Sequence, residues 1–472
     1  MNKMIKKNEK YVVEIIDTGI NGEGIAKIDN FTIFVNEAIK GEKVEILILK
    51  VQTSFAFAKV VEIIEKSPNR VEPFCPSFKK CGGCSLQFMN YEETLRLKEN
   101  RVKTTLSKAL KNYKFIFADD NSVNKEDLIS DSNSVIVINN AIGMKNPFNY
   151  RNKAQYPVQD GKIGFYRERS HDVIENEECL IQDKESDKIA KKSFELLMEE
   201  GNTCYDEKTL NGNIRHIMVR CAKNLEEQML IIITNEKEIK GIEKIVSELT
   251  KDFKNLKSIV QNINSKNTNI IMGKKCITLY GKDTIVDCLG DYKFEISPHS
   301  FYQVNPVQTE VLYNTAKEFA DLSKEDVVFD LYCGIGTIGS FMAKNCKKVY
   351  GVEIVPEAIE DAKKNAKLNE INNIEFACGA AEDVIPKMYE DGIKADVVFV
   401  DPPRKGCDNS LLETLIKMKA KKIIYVSCNV ATLARDLQYL TSNDYELKSV
   451  QPVDMFPWTN HVETIALMHF LC

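Results

Sequence analysis

The C-terminal part of the chain alternates short apolar runs with segments that have helical spacing. VVFDLYCGIGTIGSFMAK fits a strand, a glycine-rich turn and a helix. KVYGVEIV, IEFACG, DVVFVDPPRKG and IIYVSCN fit further strands, and helical patterns such as EAIEDAKKNAKLN lie between them. Strands that alternate with helices predict a doubly wound parallel sheet, so we expect an α/β domain over residues 293–472. Such sheets bind their ligands outside the carboxyl ends of the strands.

The first 65 residues have a different pattern, in which apolar and polar positions alternate over short runs. YVVEIID, FTIFV, EKVEILILKV and FAFAKVVEII fit strands, with a turn at Gly22-Glu23-Gly24. Several short strands at this spacing predict a small β-barrel of the OB type over residues 1–65. Barrels of this kind often bind nucleic acid through aromatic residues, but these aromatic residues fit a filled core equally well: Phe31, Phe34, Phe55 and Phe57.

Residues 66–292 combine strand patterns with one amphipathic helix. The helix is expected at residues 91–111 and can pack on the C-terminal domain, while RHIMVRC, EQMLIIITN, SIVQNIN and CITLYG predict a β-rich central domain. The polar stretch DNSVNKEDLISDSNS predicts a loop or an insertion. Between Tyr150 and Arg169, five cations are interleaved with aromatic residues. This pattern predicts either a surface for RNA phosphates and bases or a solvated hairpin.

Length and composition are those of an ordinary globular protein. The 472 residues suggest about three domains, and 43% hydrophobic with 28% charged residues is a typical balance. We find no apolar run long enough for a bilayer and no signal-peptide pattern, so we expect a cytoplasmic protein without membrane contact. A monomer is expected because no coiled-coil pattern is visible. The net charge of −5 argues only weakly against a nucleic-acid partner, since a local basic patch matters more.

Three of the 14 cysteines lie close together, at Cys75, Cys81 and Cys84. The spacing C-x5-C-x2-C places three thiolates on one loop, where two glycines let the backbone fold around a metal centre. Cys179, in the polar segment NEECLIQD, is the best candidate for a fourth ligand. Four thiolates suit zinc and an iron–sulfur cluster, and the spacing does not choose between them.

The first strand–helix turn of the C-terminal domain has the glycines that let a cofactor approach, Gly334 and Gly336. Glu353, at the tip of the second strand, is placed to accept hydrogen bonds from ribose hydroxyls. These features fit NAD and S-adenosylmethionine equally. Two others favour S-adenosylmethionine: the rigid corner that begins at Asp401 and is followed by two prolines, and a late strand, HVETIALMHF, which carries Glu463 near its start.

Cys428 follows the apolar strand pattern KIIYVS and precedes a helical run. A thiol at the end of a buried strand can act as a nucleophile if its pKa is lowered or its proton is removed. The alternative is a small buried side chain of the core, because free cysteine is often buried. The local pattern leaves both open.

Taken together, these motifs resemble the RNA uracil-5-methyltransferase family. The likeness is greatest to bacterial 23S ribosomal RNA members that carry a TRAM domain and an iron–sulfur cluster. It covers almost the whole chain through the barrel, the four cysteines, YRNK, GFYRERSHDVI, SFYQVN, DLYCGIGTIG, VDPPRKG, YVSCN and HVET. The resemblance implies a TRAM barrel at 1–65, a central iron–sulfur and RNA-contacting domain at 66–292, and a Rossmann-like class I methyltransferase domain at 293–472.

The resemblance also implies roles for individual residues. Cys428 is implied as the nucleophile and Glu463 as the base. S-adenosylmethionine is implied to contact Gln303, Tyr332, Glu353 and Asp401. A [4Fe–4S] cluster is implied to be bound by Cys75, Cys81, Cys84 and Cys179.

Methylation of uracil at C5 requires these residue types. Uracil C5 is a poor nucleophile, so a thiolate adds at C6 first, and a base then removes the C5 proton. Arg404 is a candidate donor to the enolate oxygen, although a solvated loop arginine would have the same sequence context. The target uridine is expected to be flipped out of its stack.

The RNA partner is expected to be 23S ribosomal RNA, because family members that act on transfer RNA usually lack the barrel and the cluster cysteines. Transfer RNA is the alternative substrate, and a non-catalytic RNA-binding protein is the alternative function. A radical iron–sulfur enzyme would typically use C-x3-C-x2-C, so the spacing here speaks against that class.

Overall fold

The computed structural model describes residues 5–118 and 134–471. The polar stretch DNSVNKEDLISDSNS, predicted as a loop or an insertion, lies outside the described residues except for its last one, Ser134. Within the described ranges, none of the helices combines the length and the apolar character that crossing a bilayer would require.

The N-terminal domain is a curled six-stranded sheet. Its strands are β1 (Lys10–Glu14), β2 (Asp17–Thr18), β3 (Gly24–Ile28), β4 (Phe31–Asn36), β5 (Lys43–Val51) and β6 (Phe55–Glu65). The order across the sheet is β1-β5-β6-β4-β3-β2. The two edge strands, β1 and β2, are consecutive in the chain, so the sheet must curl back on itself around its apolar core.

The phenylalanines of this barrel divide between its two faces. Phe31 packs against the core. Phe34 lies between the buried residues Ile33 and Val35, so its side chain points to the opposite face. There it packs against Phe55 and Phe57, with ring centroids 5.3 to 5.8 Å apart among the three. The barrel therefore carries an aromatic cluster on its outer surface.

One helix and two strands follow the barrel: α1 (Tyr91–Ala109), β7 (Tyr113–Phe117) and β8 (Ser134–Ile138). Asn90 begins the helix, because its side chain accepts a hydrogen bond from the backbone N–H of Glu93 at 2.8 Å.

The central domain is a six-stranded mixed sheet with two helices and a short hairpin. The strands are β9 (Lys153–Gln159), β10 (Lys162–Ile163), β13 (Ile214–Cys221), β14 (Gln228–Thr234), β15 (Leu256–Ile263) and β16 (Lys275–Gly281). The hairpin consists of β11 (Phe165–Tyr166) and β12 (Val173–Ile174), and the helices are α2 (Lys184–Glu199) and α3 (Ile242–Asp252). The helices cover one face of the sheet. Residues of the other face, such as Met218 and Ile231, share a core with the C-terminal domain.

The C-terminal domain begins with the hairpin β17 (Ile285–Leu289) and β18 (Tyr292–Ile296). Strands and helices then alternate: α4 (Pro306–Ala320), β19 (Val327–Leu331), α5 (Thr337–Ala343), β20 (Lys348–Glu353), α6 (Pro356–Leu368), β21 (Ile374–Cys378), α7 (Ala381–Glu390), β22 (Val397–Val400), α8 (Asn409–Met418), β23 (Lys422–Ser427), α9 (Val430–Thr441), β24 (Tyr445–Val453) and β25 (Glu463–Phe470). The sheet order is β21-β20-β19-β22-β23-β25-β24-β8-β7. The first five of these strands are parallel, which confirms the predicted doubly wound α/β domain.

Two domain assignments made from the sequence need correction. The strands β7 and β8 lie within 66–292, yet they extend the C-terminal sheet, because Ile138 of β8 pairs with Val450 of β24. The boundary at 292 also divides a hairpin, since β17 pairs with β18 across the turn at Gly290. A polar stretch separates β7 from β8 in the sequence, so their pairing was not predicted. The sequence of the β17–β18 hairpin does not indicate on which domain the hairpin packs.

Helix α1 is fixed to the C-terminal domain by a buried ion pair. Lys98 Nζ lies 2.5 Å from Asp454 Oδ1, and both side chains are fully buried. Tyr91 donates its hydroxyl to the other carboxylate oxygen at 2.7 Å. Lys98 also donates to the carbonyl oxygen of Phe456 at 3.1 Å. These bonds satisfy both charges inside the protein, which is the condition for burying an ion pair.

Removing one partner of this pair is expected to destabilise the protein strongly. Lys98→Met leaves the Asp454 carboxylate buried without its cation, which should lower the free energy of unfolding by about 3 to 5 kcal/mol. Lys108→Met is the matched control, because Lys108 is an exposed residue of the same helix. Denaturant unfolding of both variants checks the prediction, and a loss for Lys98→Met as small as that of the control would contradict it.

Candidate active site

Cys428 and Glu463 face each other across two neighbouring strands. β23 and β25 pair antiparallel, with Ser427 opposite Thr464. Cys428 directly follows Ser427 and Glu463 directly precedes Thr464, so both residues lie where this pairing ends, and the charge of the Glu463 carboxyl acts on the Cys428 thiol. The structure therefore brings the two residues predicted as nucleophile and base together at the carboxyl edge of the parallel strands.

The Glu463 carboxyl lies in an environment that favours its neutral form. The residue is 4% exposed. Burial, together with the charge of Asp401 and against that of Arg404, raises the pKa of the Glu463 carboxyl to about 8. Most Glu463 side chains are therefore protonated at pH 7 in the free protein, and the ionised form is a stronger base than an ordinary glutamate.

The Cys428 thiol is half-buried beside the same charges. Burial raises its pKa above the usual value, the carboxyls of Glu463 and Asp401 raise it further, and the Arg404 guanidinium opposes them. Arg404 is the cation of this group, and its guanidinium favours the thiolate. The predicted position of Arg404 near the reacting atoms is thus supported by its electrostatic contact with both Cys428 and Glu463.

Local hydrogen bonds fix the turn that presents Cys428. Ser427 Oγ accepts the backbone N–H of Asn429 at 3.1 Å, and the Asn429 side chain accepts the N–H of Ala431 to begin α9. The same Asn429 side chain donates to the carbonyl oxygen of Arg404 at 3.0 Å. The turn after β23 and the proline-rich corner after β22 are therefore one hydrogen-bonded unit.

The turn after β19 has the backbone shape of a cofactor cradle. Tyr332, Gly334 and Gly336 have φ angles of 63°, 54° and 79°. A Cβ added at Gly334 would meet no heavy atom within 4 Å, so this turn borders open space, which is called the cleft here. The Glu353 carboxylate, at the end of β20, accepts the N–H of Gly334 at 3.2 Å and that of Val355 at 2.9 Å. Two of the predicted cofactor residues, Gly334 and Glu353, are thus joined by a hydrogen bond beside this cleft.

Two further predicted cofactor residues, Asp401 and Gln303, come from different elements of the C-terminal domain. Asp401 follows β22, and burial raises the pKa of its carboxyl to about 7. Gln303 precedes α4, and its carbonyl oxygen accepts a hydrogen bond from Asn152 of the central domain at 3.0 Å. Asn152 also donates its backbone N–H to Val304 at 2.8 Å. Asn152 therefore holds the Gln303 segment in place, a role that its position in YRNK did not reveal.

Asp330 is a further polar residue of the site that the sequence analysis left without a role. It is fully buried in β19, and one carboxyl oxygen accepts the N–H of Gly339 at 2.7 Å. The other oxygen has no hydrogen-bond partner among the described residues. Burial is the main cause that raises the pKa of this carboxyl to about 7. An aspartate within an otherwise apolar strand, VVFDL, was the sequence feature that could have indicated it.

The four cysteines predicted as ligands line one cavity of about 240 Å³: Cys75, Cys81, Cys84 and Cys179. Within residues 5–118 and 134–471, no three His, Cys, Asp or Glu side chains form a group that could hold a metal ion. Burial is the main cause that raises the pKa of the Cys84 and Cys179 thiols to about 12. Arg151 and Lys153 line the same cavity.

The basic stretch from Tyr150 to Arg169 does not form a single exposed face as its pattern suggested. Arg151 and Lys153 point toward the cysteine cavity, and burial is the main cause that lowers the pKa of Lys153 to about 7. The remaining cations are exposed: Lys162, Arg167 and Arg169. The difference arises from the loop of residues 75–86, called the cysteine loop here. An isolated bridge between Cys81 and Arg167 holds this loop against the hairpin, where it covers the beginning of the basic stretch.

Comparison with known proteins identifies the family. A profile described as tRNA (Uracil-5-)-methyltransferase matches residues 147–470, and a TRAM-domain profile matches residues 6–61. The chain belongs to the RNA uracil-5-methyltransferase family. The family resemblance seen in the sequence is thus confirmed, as is the N-terminal TRAM domain. The predicted enzyme class, an S-adenosylmethionine-dependent RNA (uracil-C5)-methyltransferase, is confirmed at the level of this family.

Curated relatives in the family align over nearly the whole chain. A protein from Clostridium tetani, named an uncharacterized RNA methyltransferase, is 49% identical over 99% of this chain and 97% of its own length. A protein of the same description from Halalkalibacterium halodurans is 46% identical over 98% of both chains.

A crystal structure from Pyrococcus abyssi has the same architecture. It is a tRNA (uracil-54, C5)-methyltransferase in complex with S-adenosyl-L-homocysteine, with a TM-score of 0.75 and 26% identity. The match covers 97% of this chain and 99% of the other, so it includes the N-terminal barrel. At least one member that acts on transfer RNA therefore has this barrel, so the barrel alone does not decide between the two RNA classes.

The raised pKa of Glu463 predicts a pH-dependent stability difference. The folded protein keeps the Glu463 proton up to about pH 8, whereas an unfolded glutamate loses it near pH 4.3. Folding stability must therefore fall as pH rises between these values. Glu463→Gln, which cannot ionise, should be more stable than wild type by roughly 5 kcal/mol at pH 9 and about equal to it at pH 4. Denaturant unfolding at the two pH values measures this, and a difference independent of pH would contradict it.

Proposed function

We propose that the protein methylates C5 of a specific uridine in 23S ribosomal RNA through a covalent bond between Cys428 and uracil C6. The observation that carries the mechanism is that the Cys428 thiol and the buried Glu463 carboxyl lie where the pairing of β23 with β25 ends, close enough for their charges to interact. A nucleophile and a base at one ring fit this reaction, because C6 receives the thiolate and the neighbouring C5 loses the proton.

The reaction follows from the chemistry of these two side chains. The Cys428 thiolate adds to C6, and the electrons of the C5–C6 double bond pass to the O4 enolate. C5 then forms its bond to a methyl group; bound S-adenosylmethionine would supply this methyl group from its sulfonium, whose S–CH3 bond breaks toward sulfur and leaves S-adenosylhomocysteine. The Glu463 carboxylate removes the C5 proton, the C5–C6 double bond returns, and the C6–S bond breaks to release the Cys428 thiolate.

Arg404 is proposed to assist at both ends of this sequence. Its guanidinium lowers the pKa of the Cys428 thiol, against the effect of burial, and so favours the attacking thiolate. The same fixed cation can stabilise the negative charge that develops on the enolate oxygen. The carbonyl oxygen of Arg404 is bound by Asn429 and by Thr432, at 3.0 and 3.2 Å, which fixes the backbone of this corner.

The cofactor cleft is proposed to bind S-adenosylmethionine through the ends of β19, β20 and β22. The Glu353 carboxylate suits the ribose hydroxyls, and the glycines let the ligand approach the backbone. A positively charged sulfonium fits the acidic edge formed by Asp330, Asp401 and Glu463. The proposed contacts are those expected from the family: Gln303, Tyr332, Gly334, Gly336, Glu353 and Asp401.

A [4Fe–4S] cluster is proposed for the cysteine cavity, and the residues present fit it. Sulfurs around one tetrahedral zinc ion would lie about 3.8 Å apart, whereas a cluster distributes its thiolates over separate iron atoms. The four cysteines line one cavity, as thiolates that hold the separate iron atoms of one cluster would. Two cations face this cavity, and Arg151 Nε is buried without a partner among the described residues. The positive charges of Arg151 and Lys153 suit a site that holds four negatively charged thiolates. We propose a role for the cluster in structure or in RNA positioning.

Transfer RNA is the second candidate substrate, and the whole-length match to a tRNA methyltransferase structure favours it. The proposed RNA surface serves either substrate. It combines the outer phenylalanine cluster of the barrel with the exposed cations Lys162, Arg167 and Arg169, since bases stack on aromatic rings and phosphates pair with cations.

We further propose a cytoplasmic monomer, with the domains at 1–65, 66–292 and 293–472 adjusted for β7, β8 and the hairpin.

Methyl transfer to unmodified RNA tests the function. Labelled S-adenosylmethionine should give 5-methyluridine in 23S ribosomal RNA, with turnover lost by at least about 1,000-fold in Cys428→Ala because the covalent step is removed. Cys288→Ala is the matched control, since Cys288 lies on β17 outside the site. Label only in transfer RNA would overturn the proposed substrate, and full activity of Cys428→Ala would overturn the covalent mechanism.

Analysis of iron and acid-labile sulfide tests the cluster. Protein purified without oxygen should contain both in equal amounts, and Cys84→Ser should lose most of the iron because each cysteine is proposed to hold one iron atom. Cys288→Ser should keep its iron. Zinc in place of iron, or iron that is unaffected by Cys84→Ser, would contradict the cluster at this site.

A further inference from the structure

The segment that leads into the base Glu463 is held from outside its own sheet. This segment, residues 454–462, joins β24 to β25 and is called the strap here. It has no helix or strand of its own. Its last residue precedes Glu463 directly, so the position of the strap determines where β25 begins and where the carboxyl of Glu463 lies.

Helix α1 holds the strap at two points. Lys98 binds Asp454 and the carbonyl oxygen of Phe456, as described above. Arg101 donates to the carbonyl oxygen of Asn460 at 2.5 Å. These contacts reach both halves of the strap from one helix.

The cysteine loop holds the strap at its centre. The backbone N–H groups of Ser85 and Leu86 both donate to the carbonyl oxygen of Trp458, at 3.0 and 3.1 Å. Ser85 Oγ accepts the N–H of Asn460 at 3.2 Å. These donors follow Cys84 directly, and Cys84 and Cys179 pack on the apolar cluster that contains Trp458. The centre of the strap is thus bound to the loop that carries the proposed cluster ligands.

Trp458 is held in a conformation that a bulky residue rarely adopts. Its φ angle is 66°, a left-handed backbone conformation that is unfavourable for a bulky residue and persists only where the surroundings impose it. Those surroundings are aromatic rings at 5.0 to 5.6 Å, from Phe74, Tyr91 and Phe148, and a hydrogen bond from the indole to Pro147 at 2.9 Å. The conformation persists because these contacts and the cysteine loop impose it together.

We propose that Trp458 is a positioning residue that makes the placement of Glu463 depend on the folded cysteine loop. The inference rests on the proposed function, in which Glu463 acts only after methyl transfer. If the cysteine loop loses its folded conformation, the positive φ angle of Trp458 is no longer imposed. The strap then shifts, and the Glu463 carboxyl moves away from the C5 proton. Addition of Cys428 and methyl transfer still occur, whereas proton removal and release of the thiolate slow down. The methylated RNA–protein adduct then accumulates.

The kinetics of Trp458→Phe test this inference. The first methyl transfer should stay within about twofold of wild type, while steady-state turnover falls about 10- to 100-fold, since a displacement near 1 Å can cost as much. Methylated adduct should build up. Tyr445→Phe is the matched control. Tyr445 is a buried aromatic residue at the far end of β24, and its replacement by Phe also removes hydrogen bonds. If the first methyl transfer and the steady-state turnover fall equally in Trp458→Phe, or if adduct accumulates in Tyr445→Phe, the positioning role of Trp458 is overturned.

Tryptophan emission tests the coupling without measuring activity. Trp458 is the only tryptophan of the chain, so its emission reports the strap alone. Removing iron from the wild-type protein with a chelator should shift this emission to longer wavelength. Ser85→Ala, which removes the acceptor for Asn460 without touching a cysteine, should shift it less in the same direction. Unchanged emission in both samples would overturn the coupling.

The two proposals fail in different ways. If Glu463→Gln does not accumulate methylated adduct, then the assignment of the base is wrong. The emission of Trp458 still decides in that case whether the cysteine loop holds the strap. If Glu463→Gln accumulates adduct and Trp458→Phe does not, the base is correct and the positioning role of Trp458 is refuted.

Discussion

The antiparallel pairing of β25 with β23 is the constraint on which the active site depends. All strands from β19 to β23 run in one direction, so their carboxyl ends meet at one edge of the sheet. β25 runs in the opposite direction and contributes its first residue to that edge. A parallel strand would have placed Glu463 at the far side of the sheet, away from Cys428. The late strand therefore brings the proposed base, Glu463, to an edge where the parallel strands place the Cys428 thiol and the proposed cofactor cleft.

Burial gives this edge its electrostatic character. Asp330 and Asp401 have pKa values raised to about 7, and that of Glu463 is raised to about 8. The charge of Asp401 also raises the pKa values of Asp330 and Glu463, and the Arg404 guanidinium acts in the opposite direction on both Cys428 and Glu463. A positively charged methyl donor suits such an edge, because a cation favours the ionised forms of nearby carboxyls. Binding of the proposed methyl donor would thus favour the ionised Glu463 carboxylate, which is the form proposed to act as the base.

The sequence predicted those parts of the fold whose pattern is local. The apolar strands, the glycine turn at Gly334 and the position of Cys428 after β23 can each be read within about twenty residues. The resemblance to a family then linked Cys428 with Glu463, which local patterns could not do. The antiparallel register that makes them neighbours is a property of the whole sheet.

Features that depend on distant partners escaped the sequence. Lys98 looked like an ordinary cation of an amphipathic helix, and its partner Asp454 lies 356 positions away. Arg151 and Lys153 belong to a pattern typical of an exposed RNA surface, yet the cysteine loop covers them. Strand β8 had no visible partner until β24 was placed beside it. In each case the deciding contact joins segments whose own composition is unremarkable.

The covalent role of Cys428 is tested most directly with RNA that contains 5-fluorouridine. Fluorine replaces the C5 proton that Glu463 would remove, so the reaction should stop after methyl transfer with the RNA still attached to the enzyme. Digestion and mass spectrometry should then find a methylated fluorouridine on the peptide that contains Cys428. No attachment, or attachment to another cysteine such as Cys333, would contradict the account.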